Sequence, residues 1–432
     1  MQYYSTNNHE LKASLLEAVI KGLAPDNGLF MPSKIPTFPE SWLAELSTLS
    51  FREIGYRVIG TLFSSDLTAK QIQELVDHTL TFDAPLVQVE QNVFSLELFH
   101  GPTLAFKDFG ARFCAKLLGM LMGTSAKKTR ILVATSGDTG SAVANGFLNI
   151  AGVEVIILYP KGKVSLLQEK QFTTLGENIT CLEVEGVFDD CQALVKQAFL
   201  DKELNEKLVL TSANSINVAR WIPQCLYYFY AYSRLPNKTG KIVFSVPSGN
   251  FGNLAAGILA QRMGLPITQF IAATNENKVV PTFLTGSSFE AKPSIPTLSN
   301  AMDVGNPSNF SRLVDLFEGD AEKFRNKVKG YFFSDAQTIE AMQSVYCLGY
   351  TLDPHGAIGY LGLKQFLEIE NEYQGIFLMT AHPGKFQEVV EKAIRKKIKL
   401  PERLAIFQEK EKKTTPLTAN FESFKQFLIA LE

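Results

Sequence analysis

The stretch Ile131-Leu-Val-Ala-Thr-Ser-Gly-Asp-Thr-Gly-Ser141 decides how the rest of this chain is read. Four apolar residues run into a polar, glycine-containing loop, and a helical pattern from Ser141 to Leu148 follows at once. A short, uniformly apolar run that ends in a turn suits a strand covered on both faces, and strand–turn–helix is the repeating unit of a parallel sheet. The same order recurs downstream. Val153 to Leu158, Thr180 to Val184 and Leu208 to Leu210 read as strands, with helices at Val164 to Leu175 and Asp189 to Leu200 between them. After the turn-rich Leu235-Pro-Asn-Lys-Thr-Gly240 the alternation restarts with strand Lys241 to Val246, helix Asn253 to Met263 and strand Thr268 to Ala273. Residues 275 to 310, rich in Pro, Ser, Thr and Asn, read as a long functional or mobile segment. Helices return at Ala336 to Leu348 and His355 to Phe366, then strand Gly375 to Thr380 and helix Lys385 to Lys396. The pattern predicts an α/β fold with two parallel or mostly parallel sheets covered by helices.

The first 90 residues differ. Leu11 to Leu23, Pro39 to Leu49 and Thr68 to Leu80 carry helical periodicity with few strand signals, which predicts a helical N-terminal unit. The expected division is therefore 1–90 helical, 91–235 a first α/β domain carrying Lys107, and 236–432 a second α/β domain with C-terminal helices. The charged run Glu409-Lys-Glu-Lys-Lys413 reads as a solvated linker before a short last helix.

Composition narrows the function classes. A chain of 432 residues with 20% charged residues and a net charge of -2 offers no electrostatic reason to bind nucleic acid or an anionic membrane. The start, Met1 to Glu10, has neither the basic nor the apolar region of a signal peptide, and no apolar run approaches a membrane span. The five cysteines (Cys114, Cys181, Cys191, Cys225 and Cys347) form no Cys-x-x-Cys pair and are odd in number, which predicts buried thiols in a reducing cytoplasm. Five scattered histidines give no metal-ligand spacing, so no metal is expected.

Three segments carry chemistry. In Gly101-Pro-Thr-Leu-Ala-Phe-Lys-Asp-Phe109, Lys107 sits among apolar residues. A lysine so placed tends to lose its proton, and the neutral amine can attack an aldehyde to form a Schiff base; a lone lysine of this kind is more often a surface residue whose stem covers Phe106. Ser248-Gly-Asn-Phe-Gly-Asn253 lies between a strand and a helix, where small residues and a helix N-terminus suit a phosphate, although a plain tight turn has the same composition. It has neither the Gly-Lys-Ser/Thr of a P-loop nor the Gly-x-Gly-x-x-Gly of a dinucleotide site. Ser136-Gly-Asp-Thr-Gly140 is a second loop of this kind, able to grip a carboxylate or simply to cap its helix. Two anion-sized loops and one such lysine suggest a cofactor with both a phosphate and an aldehyde, and pyridoxal phosphate fits. Thr380, ending its strand, is placed to hydrogen-bond a pyridine nitrogen.

Together with Tyr4-Ser-Thr, Ser212-Ala-Asn-Ser-Ile-Asn217, Asn306-Pro-Ser-Asn309, Asp353-Pro-His355 and Thr380-Ala-His-Pro383, these motifs make the chain resemble the threonine synthase family along essentially its whole length. That family belongs to the fold-type-II pyridoxal-phosphate enzymes, the tryptophan-synthase β-subunit group, and the helical N-terminal extension resembles its bacterial and fungal branch. The resemblance implies that Lys107 carries the cofactor, that Gly249, Asn250, Phe251 and Asn253 hold its phosphate, and that Thr380 faces its ring nitrogen. It also implies conversion of O-phospho-L-homoserine and water to L-threonine and phosphate, by a monomer or homodimer. The wider group often has Asn where this chain has Asp138, so whether Asp138 meets cofactor or substrate stays open. Thr103, Ser136, Asp138, Thr139, Lys161, Asn217 and Arg220 are the expected substrate contacts, with Lys161, Arg220 and the Ser212 to Asn217 loop as candidates for the phosphate site. Three other readings remain: a phospho-lyase releasing an oxoacid, a dehydratase or cysteine-synthase-like enzyme acting on an unphosphorylated or acetylated substrate, and an inactive scaffold. The last should have lost Lys107.

Overall fold

The computed structural model describes residues 1–122, 128–238 and 240–431; Thr239, in the turn expected at 235–240, lies outside them. Among the described residues, fourteen strands form three sheets. The first is small and antiparallel, made of β1 (Tyr3–Ser5), β2 (Lys12–Ala13) and β3 (Phe30–Pro32) in the order β2-β1-β3. The second has six strands: β4 (Leu86–Glu90), β5 (Val93–Glu97), β10 (Lys241–Pro247), β11 (Gln269–Thr274), β12 (Val328–Phe332) and β13 (Tyr373–Met379). Their order is β12-β11-β10-β13-β5-β4, and every pair but β4–β5 is parallel. The third is parallel throughout, with β6 (Thr129–Ala134), β7 (Val153–Pro160), β8 (Ile179–Glu185), β9 (Val209–Ser212) and β14 (Thr415–Thr418) in the order β14-β8-β7-β6-β9. Every residue of β6, β11 and β13 is buried, as strands covered on both faces require.

The N-terminal unit holds one helix that its periodicity hid. Phe51–Phe63 buries Phe51, Ile54, Val58, Ile59 and Leu62 on one face, but Gly55 and Gly60 dilute the helical signal. Gly55 is there for contact: a β-carbon on it would lie 2.8 Å from Leu80 Cδ1 and 2.9 Å from Val76 Cγ1, so the helix Ala69–Thr79 can approach closely. Capping boxes at Ser14/Glu17, Ser50/Glu53 and Thr68/Gln71 start three of the helices in this unit.

The expected boundaries at 90 and 235 do not follow the sheets. β5 lies at the start of segment 91–235 yet pairs with β13, and β14, near the C-terminus, pairs with β8. Which sheet a strand joins is set by a distant hydrogen-bonding partner, which local patterning does not encode. The linker at 409–413 is likewise anchored: Lys412 bridges Glu169 at 2.7 Å and Glu183 at 2.6 Å, two nearly buried carboxylates that need a cation. Pro223 divides the helical stretch after Asn217 into Val218–Trp221, a 3₁₀ turn and Cys225–Arg234. Four of the five cysteines are buried and free, while Cys347 is exposed. No described helix is long and apolar enough to cross a membrane.

Candidate active site

Parallel sheets place their loops at the C-terminal ends of the strands, and both large sheets contribute there to one pocket. From the six-stranded sheet come Lys107 after β5, the loop Ser248–Asn253 after β10 and Thr380 after β13; from the five-stranded sheet come Asp138 and Thr139 after β6 and Ser215 and Arg220 after β9.

Lys107 opens the helix Lys107–Met122. The segment before it is stitched antiparallel to the end of β13: Phe106 N–H donates to the Thr380 carbonyl at 2.8 Å, and His382 N–H to the Leu104 carbonyl at 3.0 Å. Leu104 is held at φ +59° in this turn, a conformation that costs a non-glycine residue energy and persists only where its surroundings impose it. Lys107 and Thr380 are thereby fixed side by side. Burial lowers the Lys107 pKa from 10.5 to about 8; Asp138 acts in the opposite direction, and Arg220 and Lys385 reinforce the shift.

The loop after β10 is built for close approach. A β-carbon on Gly249 would lie 2.8 Å from Met302 Cα and 2.9 Å from the Ala301 carbonyl oxygen, so no side chain fits. Phe251, left-handed at φ +60°, turns the chain into the helix Gly252–Arg262. Buried Asn253 accepts through Oδ1 from the Tyr227 and Tyr228 hydroxyls at 2.8 and 2.7 Å, which leaves its Nδ2 donor without a partner at the pocket. His355 supports the far side: its Nδ1 faces Asp353 Oδ2 at 2.7 Å, and its Nε2 accepts from Ala301 N–H at 3.2 Å, which assigns the ring proton to Nδ1.

On the opposite wall Asp138 is tied down by Lys385 Nζ at 2.7 Å and Gln168 Nε2 at 2.8 Å. Burial opposes its charge, but Lys385 and then Lys107 outweigh that and hold the carboxyl well below the usual range. Arg220 is buried, donates through Nη1 to the Ala213 carbonyl and leaves Nε unpaired. Asn253 and Arg220, both lining the pocket, thus keep buried donors without a protein partner.

Three family models match the chain in succession: "Threonine synthase N terminus" over residues 2–80, "Pyridoxal-phosphate dependent enzyme" over 79–380, and "Threonine synthase, C-terminal" over 356–428. The threonine synthase of Haemophilus influenzae is 46% identical over 405 residues, 94% of each chain. The chain belongs to the threonine synthase family. The crystal structure of the Escherichia coli member superposes with a TM-score of 0.94 at 43% identity over 100% of both chains. That of the Brucella melitensis member, described as bound to pyridoxal phosphate, gives 0.92 at 34% identity over 99% of this chain and 98% of its own. The fold is thus that of a fold-type-II pyridoxal-phosphate enzyme.

Pyridoxal phosphate fits the residues present in this family member: a lysine of lowered pKa, a cradle where a β-carbon would clash, and a free buried amide donor at its edge. Of the residues singled out from the sequence, Lys107, Gly249, Asn250, Phe251, Asn253, Thr380, Asp138, Thr139 and Arg220 line the pocket. Thr103, Ser136, Lys161 and Asn217 do not. The Thr103 hydroxyl donates to buried Asp108 at 2.6 Å. Asn217 caps its own helix and donates to the Val19 and Ser212 carbonyls, both at 2.9 Å. Lys161 points to solvent and pairs with Glu185 at 3.7 Å, so it is not placed to meet a ligand in the pocket. Sequence reasoning passed over Gln224 and His355 as site residues, and Lys385 beside Asp138, whereas the Ser212 to Asn217 loop that it singled out brings Ser215 to the pocket. The signal for Lys385 was a lysine enclosed by Gly384 and Phe386 just past Thr380, similar in context to Lys107.

Proposed function

We infer that the chain is a threonine synthase, a pyridoxal-phosphate-dependent lyase that converts O-phospho-L-homoserine and water to L-threonine and phosphate. The observation that carries the reading is one pocket lined both by a lysine of lowered pKa beside a phosphate cradle and by a buried cation without a carboxylate partner, Arg220. When bound, pyridoxal phosphate supplies an aldehyde that captures amines and an electron sink for negative charge on nearby carbons.

The chain's own residues do the rest. Backbone amides of Gly249 to Phe251 and the Asn253 Nδ2 donor hold the cofactor phosphate at the N-terminus of helix Gly252–Arg262. Lys107 Nζ would attach the cofactor, and its neutral amine is the base that would move the α-proton and serve the later proton transfers at the β-carbon. Its lowered pKa keeps a useful fraction neutral near neutral pH. The Thr380 hydroxyl faces the ring nitrogen. Arg220, with the Ser215 hydroxyl beside it, takes the substrate phosphate and stabilises the departing anion. Asp138 and Thr139 face the substrate from the end of β6. The enzyme works in the cytoplasm as a monomer or homodimer.

Purified protein loaded with pyridoxal phosphate should release threonine and phosphate in equal amounts from O-phospho-L-homoserine. Release of 2-oxobutyrate and ammonia in place of threonine would instead identify a phospho-lyase.

A further inference from the structure

The segment Asn306-Pro-Ser-Asn309 stands out in the sequence, yet none of its residues is among those lining the active-site pocket. It lies between the two anion-binding loops. Ser308 donates from its backbone N–H and its hydroxyl to Asn250 Oδ1, both at 3.2 Å, and Asn309 N–H donates to the Asn250 carbonyl at 3.2 Å. Those bonds grip the cofactor-phosphate cradle. On its other side Asn309 Nδ2 donates to Ser215 Oγ at 3.3 Å, and Asn309 Oδ1 accepts from Arg312 Nη1.

Arg312 extends the same connection. Its side chain is 0% exposed, and no described carboxylate lies within salt-bridge distance, Asp315 acting on it only from farther away. Its fork donates from Nη1 to the Ser215 carbonyl at 3.0 Å and from Nη2 to the Ile216 carbonyl at 2.6 Å, while its plane lies 4.8 Å from the centre of the Trp221 ring. A longer bond of 3.5 Å reaches the Phe30 carbonyl of the N-terminal unit. A buried cation is costly to desolvate, and the fork of this one fixes two successive carbonyls of the loop that carries Ser215 and leads to Arg220. The cradle touches the same post, since a β-carbon on Gly252 would lie 3.3 Å from Asn309 Nδ2 and 3.8 Å from Ser215 Cβ.

We propose that Asn309 and Arg312 are positioning residues for the phosphorylated substrate: they clamp the Ser215–Arg220 loop to the cofactor-phosphate cradle and so set the distance between the two anion sites. The proposal rests on the reading of Ser215 and Arg220 as the substrate-phosphate donors. Neither positioning residue touches the substrate. Both act through the Ser215 loop.

Arg312→Lys keeps the charge but loses the two-carbonyl fork, and Asn309→Ala removes the bridge to Ser215 without touching a buried charge. Each should be compared with the parent, loaded with pyridoxal phosphate, for kcat and KM with O-phospho-L-homoserine and for the inhibition constant of inorganic phosphate. Cofactor dissociation constants come from titration of the apoenzymes. The expected result is a rise of about tenfold in both KM and the phosphate inhibition constant, with kcat and the cofactor constant within about threefold of the parent. Parental KM and phosphate inhibition in a folded variant would overturn the proposal, as would a cofactor constant that rises as far as KM, because the pocket would then be failing as a whole. Should Arg312→Lys not fold, Asn309→Ala decides. A parent enzyme that releases no phosphate from O-phospho-L-homoserine would sink the functional reading itself, whereas an active parent with unaffected variants sinks only the clamp.

Discussion

Replacing Arg220 with methionine should make the empty protein more stable and the enzyme worse. The Arg220 side chain is 3% exposed, and among the described residues no carboxylate pairs with it. Burial lowers its pKa from 12.5 to about 10, with Cys114 and Asp108 opposing the shift. A basic group with a depressed folded pKa binds its proton less tightly in the fold than in the unfolded chain. The resulting destabilisation is complete below pH 10 and fades only as pH rises from about 10 towards 12.5, so at neutral pH it acts in full. That lowering corresponds to a cost on the order of 3 kcal/mol. Methionine has a similar reach and no charge, but it forfeits the bond to the Ala213 carbonyl, which costs about 1 kcal/mol. The balance is a gain of about 2 kcal/mol, to be read as a higher Tm or denaturation midpoint of cofactor-free protein near pH 8. The same substitution removes a charged hydrogen bond to the substrate phosphate, worth about 1.5–3 kcal/mol, so kcat/KM for O-phospho-L-homoserine should fall roughly 10- to 150-fold. A lower Tm together with unchanged kcat/KM would refute the reasoning, because Arg220 would then be holding the fold and not a ligand.

Attachment of pyridoxal phosphate needs neutral Lys107, so its rate constant in the apoenzyme should rise with pH about a midpoint near 8. Asp138→Asn removes the charge that holds that pKa up and should move the midpoint lower; a parental midpoint near 10, or an upward move, would contradict the assigned electrostatics. Gly249→Val forces a side chain against the Met302 and Ala301 backbone, and overpacking of about 1–3 kcal/mol should weaken cofactor affinity roughly 5- to 150-fold by fluorescence titration, which an unchanged affinity would disprove. Lys161→Ala should leave KM for the substrate within experimental error of the parent, since its ammonium faces solvent and Glu185; a KM raised tenfold would return Lys161 to the site.

Much of the site was legible in the sequence because its requirements are local. Uniformly apolar runs such as Ile131 to Ala134 announce strands buried on both faces, and small residues between strand and helix, as at Ser248 to Asn253, announce a loop where backbone meets a ligand. An unusual lysine in apolar company, Lys107, needed no partner to be noticed. What the chain could not announce locally was pairing. β5 joins β13 and β14 joins β8 across hundreds of residues, so the sheets do not respect boundaries drawn from composition. Lys161 and Arg220 were both candidates for the substrate phosphate. Only packing shows that Lys161 is satisfied by Glu185 in solvent while Arg220 is buried with a free donor. Asp138 acquires its ionised state from Lys385, which stands 247 positions later (385 − 138) and meets it only when the ends of β6 and β13 are brought together. Strand and loop identity follow from residue type and spacing, which one segment contains in full. Whether a polar group is paired, exposed or left free for a ligand depends on which distant segments surround it, and that the tertiary structure alone decides.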